Sequence, residues 1–220
     1  CFELEGESIK VFYITASYNW NTGFHVQVGE VSYSTAINNG AGFWTAYGGG
    51  GSVFHDTALN NQFGFIVNGG SINNNNIAQN NTVAGFTVYN GGRTVSSRAV
   101  NNSGPGFITY TSGNIDQSQA IGHTNGYGFI LNDAGSNAKN ILSNNNKDGV
   151  FVNSGALLSD GREVCVNSEY GIFVNGGTVT GTFKSDKQIE GGGNWSGATI
   201  VPCGGGGNPG GGKLPYNEGN

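Results

Sequence analysis

Eight dipeptides of glycine followed by phenylalanine or an aliphatic residue punctuate the chain. They are Gly23-Phe24, Gly42-Phe43, Gly64-Phe65, Gly85-Phe86, Gly106-Phe107, Gly128-Phe129, Gly149-Val150 and Gly171-Ile172, spaced 19, 22, 21, 21, 22, 21 and 22 residues apart. A fixed period of this size marks a solenoid, in which each repeat buries its apolar face only by stacking on its neighbours. Within a unit the dipeptide opens a short apolar strand, as in Gly64-Phe65-Ile66-Val67, and an Asn/Gly corner such as Asn68-Gly69-Gly70 follows. Asn and Gly tolerate positive φ and so suit tight corners. A second strand is marked by Val31, Val53, Ile72, Val95, Ile115, Leu157 or Val179. A third carries pairs such as Ala36-Ile37, Ala58-Leu59 and Ala99-Val100, and ends in asparagines such as Asn38-Asn39, Asn60-Asn61 and Asn101-Asn102.

Three strands and three corners use up the period, and no segment is long or periodic enough for a helix. The pattern predicts an all-β fold: a single-stranded parallel β-helix of about seven turns over residues 23–183. The right-handed form is favoured, because the left-handed form is built from strict six-residue units that are missing here. Composition agrees. The 41 Gly and 31 Asn disfavour a helical bundle. Only 4 Pro and no strict glycine triplet exclude collagen. There is no apolar run of membrane-spanning length. The net charge of −5 is spread without a basic stripe, which excludes nucleic acid as a partner.

Stacking places like residues in files. Phe24, Phe43, Phe65, Phe86, Phe107 and Phe129 form an interior file, and the corner asparagines form amide ladders. Strand alternation turns the residue after each Phe outward. That outward row reads His25, Trp44, Ile66, Thr87, Ile108, Ile130, Phe151 and Phe173. Six of these eight are bulky and apolar, where a solvent-facing strand carries polar residues. Such a strip exceeds what a soluble monomer usually exposes, so the row is expected to pack against something. A second copy of the chain leads, with three copies around an axis as the favoured arrangement, since symmetry makes like-on-like contacts common. A different subunit or a neighbouring segment of a longer chain follows. A glycan groove using Trp44 and the Phe pair comes third.

The units Gly-Tyr-Gly-Phe-Ile-Leu-Asn (126–132) and Gly-Ile-Phe-Val-Asn-Gly-Gly (171–177) resemble the pectate-lyase-like right-handed β-helix superfamily. Within it they look most like the coils of bacteriophage tail fibres and tailspikes and of secreted bacterial adhesins. The resemblance implies an extracellular or virion-surface location. It implies a structural and adhesive module of a virion appendage, such as a tail fibre, tailspike or capsid-surface fibre, touching host glycans. A polysaccharide depolymerase of tailspike type and a secreted bacterial adhesin are the alternatives. Glycan-cleaving coils gather carboxylates on one face. The candidates here are Asp148 and Glu169, just before the anchors of successive turns, with Asp160 on a nearby corner. They are weak candidates, and no catalytic set, metal site or cofactor is expected. His25 falls on the outward row and His55 and His123 on corners, and all three read as ordinary surface or interface histidines.

Residues 1–22 read as a first turn or cap, 184–203 as a lower cap and 204–220 as a Gly-rich linker with a tail. The opening at Cys1, with neither initiator Met nor signal peptide, suggests a processed or excised piece. Three cysteines without paired spacing imply neither a zinc site nor a disulfide framework. Cys165 reads as a small core residue, and Cys1 and Cys203, near the two ends, are the ones free to find a partner.

Overall fold

The structure is a computed structural model that describes residues 1–5, 9–46, 48, 50–69 and 72–203. The expected linker and tail, 204–220, lie outside the described residues. Among those described there are twenty-six strands and no helix, and all strand pairing is parallel. A typical turn runs Phe63–Val67, Ile72–Asn74, Ile77–Gln79 and then begins the next at Ala84–Val88. Each strand pairs with its counterpart one turn on: Phe65 with Phe86, Asn73 with Thr94, Ala78 with Ala99. The expected β-solenoid is what forms.

It has about nine turns rather than seven. The extra turns lack the Gly-Phe mark that reveals the others. Phe2–Leu4 pairs with Thr22–Val26, setting Phe2 beside Phe24. At the far end Ile189–Val201 pairs along Ile172–Ser185, setting Ile189 beside Ile172.

The interior is three files of side chains. From the first strand, Phe24, Phe43, Phe65, Phe86, Phe107 and Phe129 stack with centroids 4.6–4.8 Å apart and planes within 6°. That separation is the strand spacing of a sheet, so one ring per turn is the only arrangement in register. Each ring is essentially inaccessible, and burying it contributes about 2–3 kcal/mol. The third strand supplies Ala16, Ala36, Ala58, Ala78, Ala99 and Ala120, all buried. These small residues let the first strand approach closely, which explains the glycine before each Phe. A side-chain carbon on Gly64 would sit 2.8 Å from the Ala78 methyl and 3.0 Å from the Asn81 amide.

The second strand supplies Val31, Val53, Asn73, Thr94, Ile115, Ala138, Leu158 and Val179. Val95, a strand marker in the sequence, is half-exposed, and polar Thr94 takes the inner place. Asn73 and Thr94 therefore interrupt an otherwise apolar file.

A disulfide joins Cys165 to Cys203 across 38 residues, with Cα atoms 6.3 Å apart, inside the usual range. Cys165 is buried, as expected, but it is bonded to Cys203. Cys1 is exposed and takes no part in the bridge. The link fastens the end of the last long strand to the body of the coil.

Candidate interaction surface

Two corner files hold the coil's polar groups. One contains Asn19, Asn39, Asn61, Asn81 and Asn102. Asn39 donates its backbone N–H to Asn61 Oδ1 at 2.7 Å, Asn61 to Asn81 at 2.9 Å, and Asn81 to Asn102 at 2.8 Å. The Nδ2 of Asn39, Asn61, Asn81 and Asn102 each reaches down to an alanine carbonyl, as Asn61 does to Ala36 at 3.0 Å, while that of Asn19 meets the Ser17 carbonyl. His123 occupies the next place in this file. It is fully buried rather than a surface histidine. Its N–H donates to Asn146 Oδ1, and its ring nitrogens lie 3.2 and 3.3 Å from the carbonyls of Asn102 and Ala99. Burial pushes its pKa below the usual imidazole value, with these carbonyls opposing.

The other file runs Ser34, Asp56, Asn76, Ser97 and Ser118. Asp56 accepts the Ser34 N–H on Oδ1 at 2.5 Å and donates its own N–H to Asn76 Oδ1 at 2.6 Å. Its Oδ2 is buried without a partner. Burial pushes this carboxyl up to about 7, against the pull of the Ser34 and Phe54 amides and with a smaller upward push from Glu30. Asn76 hydrogen-bonds Asn73, so Asp56, Asn76, Asn73 and Thr94 bring a run of polar groups into the coil's middle turns.

The outward row forms as a single vertical file. His25 pairs with Trp44, Trp44 with Ile66, Ile66 with Thr87, Thr87 with Ile108, Ile108 with Ile130, Ile130 with Phe151, and Phe151 with Phe173. Thr87 is buried and the other seven are half-buried. Neighbouring rings lean over the file. Tyr127 meets Phe151 at 5.5 Å and 60°, Tyr170 meets Phe173 at 5.3 Å and 59°, and Phe151 stacks on Phe173 at 5.7 Å. At the other end His25 stacks obliquely on Trp44 at 5.1 Å, and its Nδ1 lies 3.1 Å from Glu3 Oε1.

The three candidate acids divide. Asp148 opens the first strand of its turn, Glu169 lies on the corner that leads into the same strand one turn on, and Asp160 sits on the corner before the third strand. Asp148 is nearly buried and accepts the Tyr170 N–H on Oδ1 at 3.3 Å. Its pKa is raised, chiefly by burial and further by Glu169, while the Tyr170 N–H, Lys147 and Lys187 lower it. Glu169 is exposed and lies 3.5 Å from Lys147 Nζ. Asp160 is exposed at a φ of 48°.

A further feature escapes the sequence pattern. Seven of the eleven large apolar or aromatic residues exposed among the described residues lie in 2–33: Phe2, Ile9, Phe12, Tyr13, Tyr18, Trp20 and Tyr33. Tyr13, Tyr33 and His55 stack at 5.3 and 4.9 Å on a corner where all three take positive φ. Later turns place Asn75, Ser96, Gln117 and Asn140 in positive φ at the same kind of corner. The available signal was a bulky ring where the repeat elsewhere carries Asn or Ser.

No protein-family model matches the chain, and no curated protein matches it. Among solved structures the chain is similar to a TibC-catalyzed hyper-glycosylated TibA55-350 fragment. The identity is 16%, with 89% of this chain and 80% of that chain covered and a TM-score of 0.28.

Proposed function

We propose that the chain is a structural and adhesive module of an extracellular or virion appendage, its copies joined along the outward file. The observation that carries this reading is the continuity of that file. Eight side chains follow one another at single-turn intervals on one face of a stiff coil; seven are half-buried, six of those apolar or aromatic, and buried Thr87 is the one break. Ladders of parallel strands leave few loose edges, which suits a shaft that resists proteases. Three copies around an axis bring the file of each against the others and remove its apolar surface from water.

The experiment is disulfide trapping. In a Cys1→Ser background, Ile130→Cys is oxidised beside Asn60→Cys, which lies on an exposed corner. Cysteines bridge only when their Cα atoms come within about 7 Å. Covalent dimers at Ile130→Cys and none at Asn60→Cys are expected. Monomers at both positions overturn the reading.

A secreted bacterial adhesin is the second reading, and the Cys165–Cys203 disulfide favours it. Disulfides form and persist where proteins mature in oxidising surroundings outside the cytosol. Expression with and without export discriminates. The adhesin reading expects a coil that loses its last-turn protection when made in a reducing cytosol.

A further inference from the structure

We infer that the corner groove beginning at Trp20 is a binding site for an uncharged glycan chain laid along the coil axis. This rests on the adhesive reading and assigns it a place. The groove has a volume of about 280 Å³. Trp20, Gly40, Gln62 and Thr82 follow one another up one file, each one place after the ladder asparagines Asn19, Asn39, Asn61 and Asn81. Asn38 and Asn60 flank it.

Four observations point to a neutral saccharide. Trp20 is 100% exposed, and an indole offers a broad apolar face with one polar edge, which fits the C–H face of a sugar ring. Gly40 comes next in the file; a side-chain carbon there would strike the Asn21 carbonyl oxygen and lie 2.7 Å from that of Trp20, so the wall beside the indole is bare backbone packed on the turn below. Beyond it stand amides and a hydroxyl, groups that both donate and accept as sugar hydroxyls do. No lining side chain is charged, and the one charge beside the groove is the Cys1 ammonium, 2.7 Å from Asn19 Oδ1 at its lower end, so a polyuronate or phosphate backbone finds no repeating counter-charge along it.

The wall is also held in place. Gly40 donates its N–H to the Asn19 carbonyl at 3.2 Å, Gln62 to Asn39 at 3.1 Å and Thr82 to Asn61 at 2.9 Å. The backbone under each contact is fixed by the turn below, so binding orders side chains alone. Contacts recur at the strand spacing of about 4.8 Å, which suits a polymer of repeating units rather than a single small molecule.

The test passes the full chain over immobilised β-glucan, mannan and amylose, with polygalacturonate as the acidic comparison. Retention on at least one neutral polymer and none on polygalacturonate is expected. Trp20→Ala should weaken that retention about tenfold, as loss of an exposed aromatic anchor does. Gln62→Ala should weaken it about threefold. The unfolding midpoint of Trp20→Ala should match the parent, because the indole touches no core. The site is refuted if no neutral polymer holds the chain or if polygalacturonate holds it better. It is also refuted if Trp20→Ala binds undiminished, which spares adhesion by another surface. A lower solution mass for Trp20→Ala would make the groove a contact between copies and end the proposal. The Ile130→Cys trap reads the assembly separately.

Discussion

The two corner files do the same job with different residues. In one, an asparagine at each turn donates through Nδ2 and accepts through Oδ1, so identical residues complete one another without limit. In the other, Ser34, Asp56, Asn76, Ser97 and Ser118 share the work unequally. Ionised Asp56 only accepts, and one of its oxygens meets nothing. A column of one amide is satisfied by repetition alone, while a mixed column depends on each neighbour and carries its penalty at the acid. His123 shows the limit of tolerance within the uniform file. It keeps the backbone link to Asn146 but replaces the side-chain amide with a ring squeezed between carbonyls.

The sharpest way to break this comparison is Asn81→Ala. It strips Asn61 of the acceptor for both its N–H and its Nδ2, and leaves the Ala58 carbonyl and Asn102 Oδ1 short of a donor. Stability in urea should fall by about 4 kcal/mol, with no dependence on pH, because several buried groups lose partners at once.

Asp56→Asn should act in the opposite direction and depend on pH. The carboxyl titrates near 7 in the fold and at an ordinary value when unfolded, so the folded state holds the proton more tightly. Its contribution is whole below about pH 4, declines as pH rises towards 7 and stays low above that. The amide should therefore stabilise by up to about 4 kcal/mol at pH 8 and by almost nothing at pH 4. An equal gain at both pH values would show that the fold does not raise the Asp56 pKa.

Val166→Asn should give the smallest effect. Val166 sits at φ 58° where Asn38, Asn60, Asn80, Asn101 and Asn145 take the same conformation. A β-branched residue is strained there, so thermal unfolding should rise by the equivalent of about 1 kcal/mol.

Most of the coil was legible because its residues repeat. The Phe file, the Ala pairs, the Asn corners and the outward row each declare themselves at the same offset in turn after turn. The parts that stayed hidden are those where the stacked column is chemically mixed. Asp56 aligns with Ser34 and Asn76, so nothing in its neighbourhood along the chain announces a buried acid. His123 stands where only the ladder geometry reveals an asparagine's role. The first and last turns carry Phe2 and Ile189 without the preceding glycine, so the repeat count stopped short. The Cys165–Cys203 link depends on where the last strand ends, which spacing along the chain does not encode. Trp20 falls within the first turn, 1–22, and nothing along the chain marks it, because exposure is a property of the turn above it.

Sedimentation equilibrium on the full chain at micromolar concentration addresses the assembly most directly. The account predicts three times the 22.7 kDa chain mass, falling to one chain when Phe151 and Phe173 are both replaced by Asp. A wild-type chain that sediments as a single copy across the whole concentration range would contradict it.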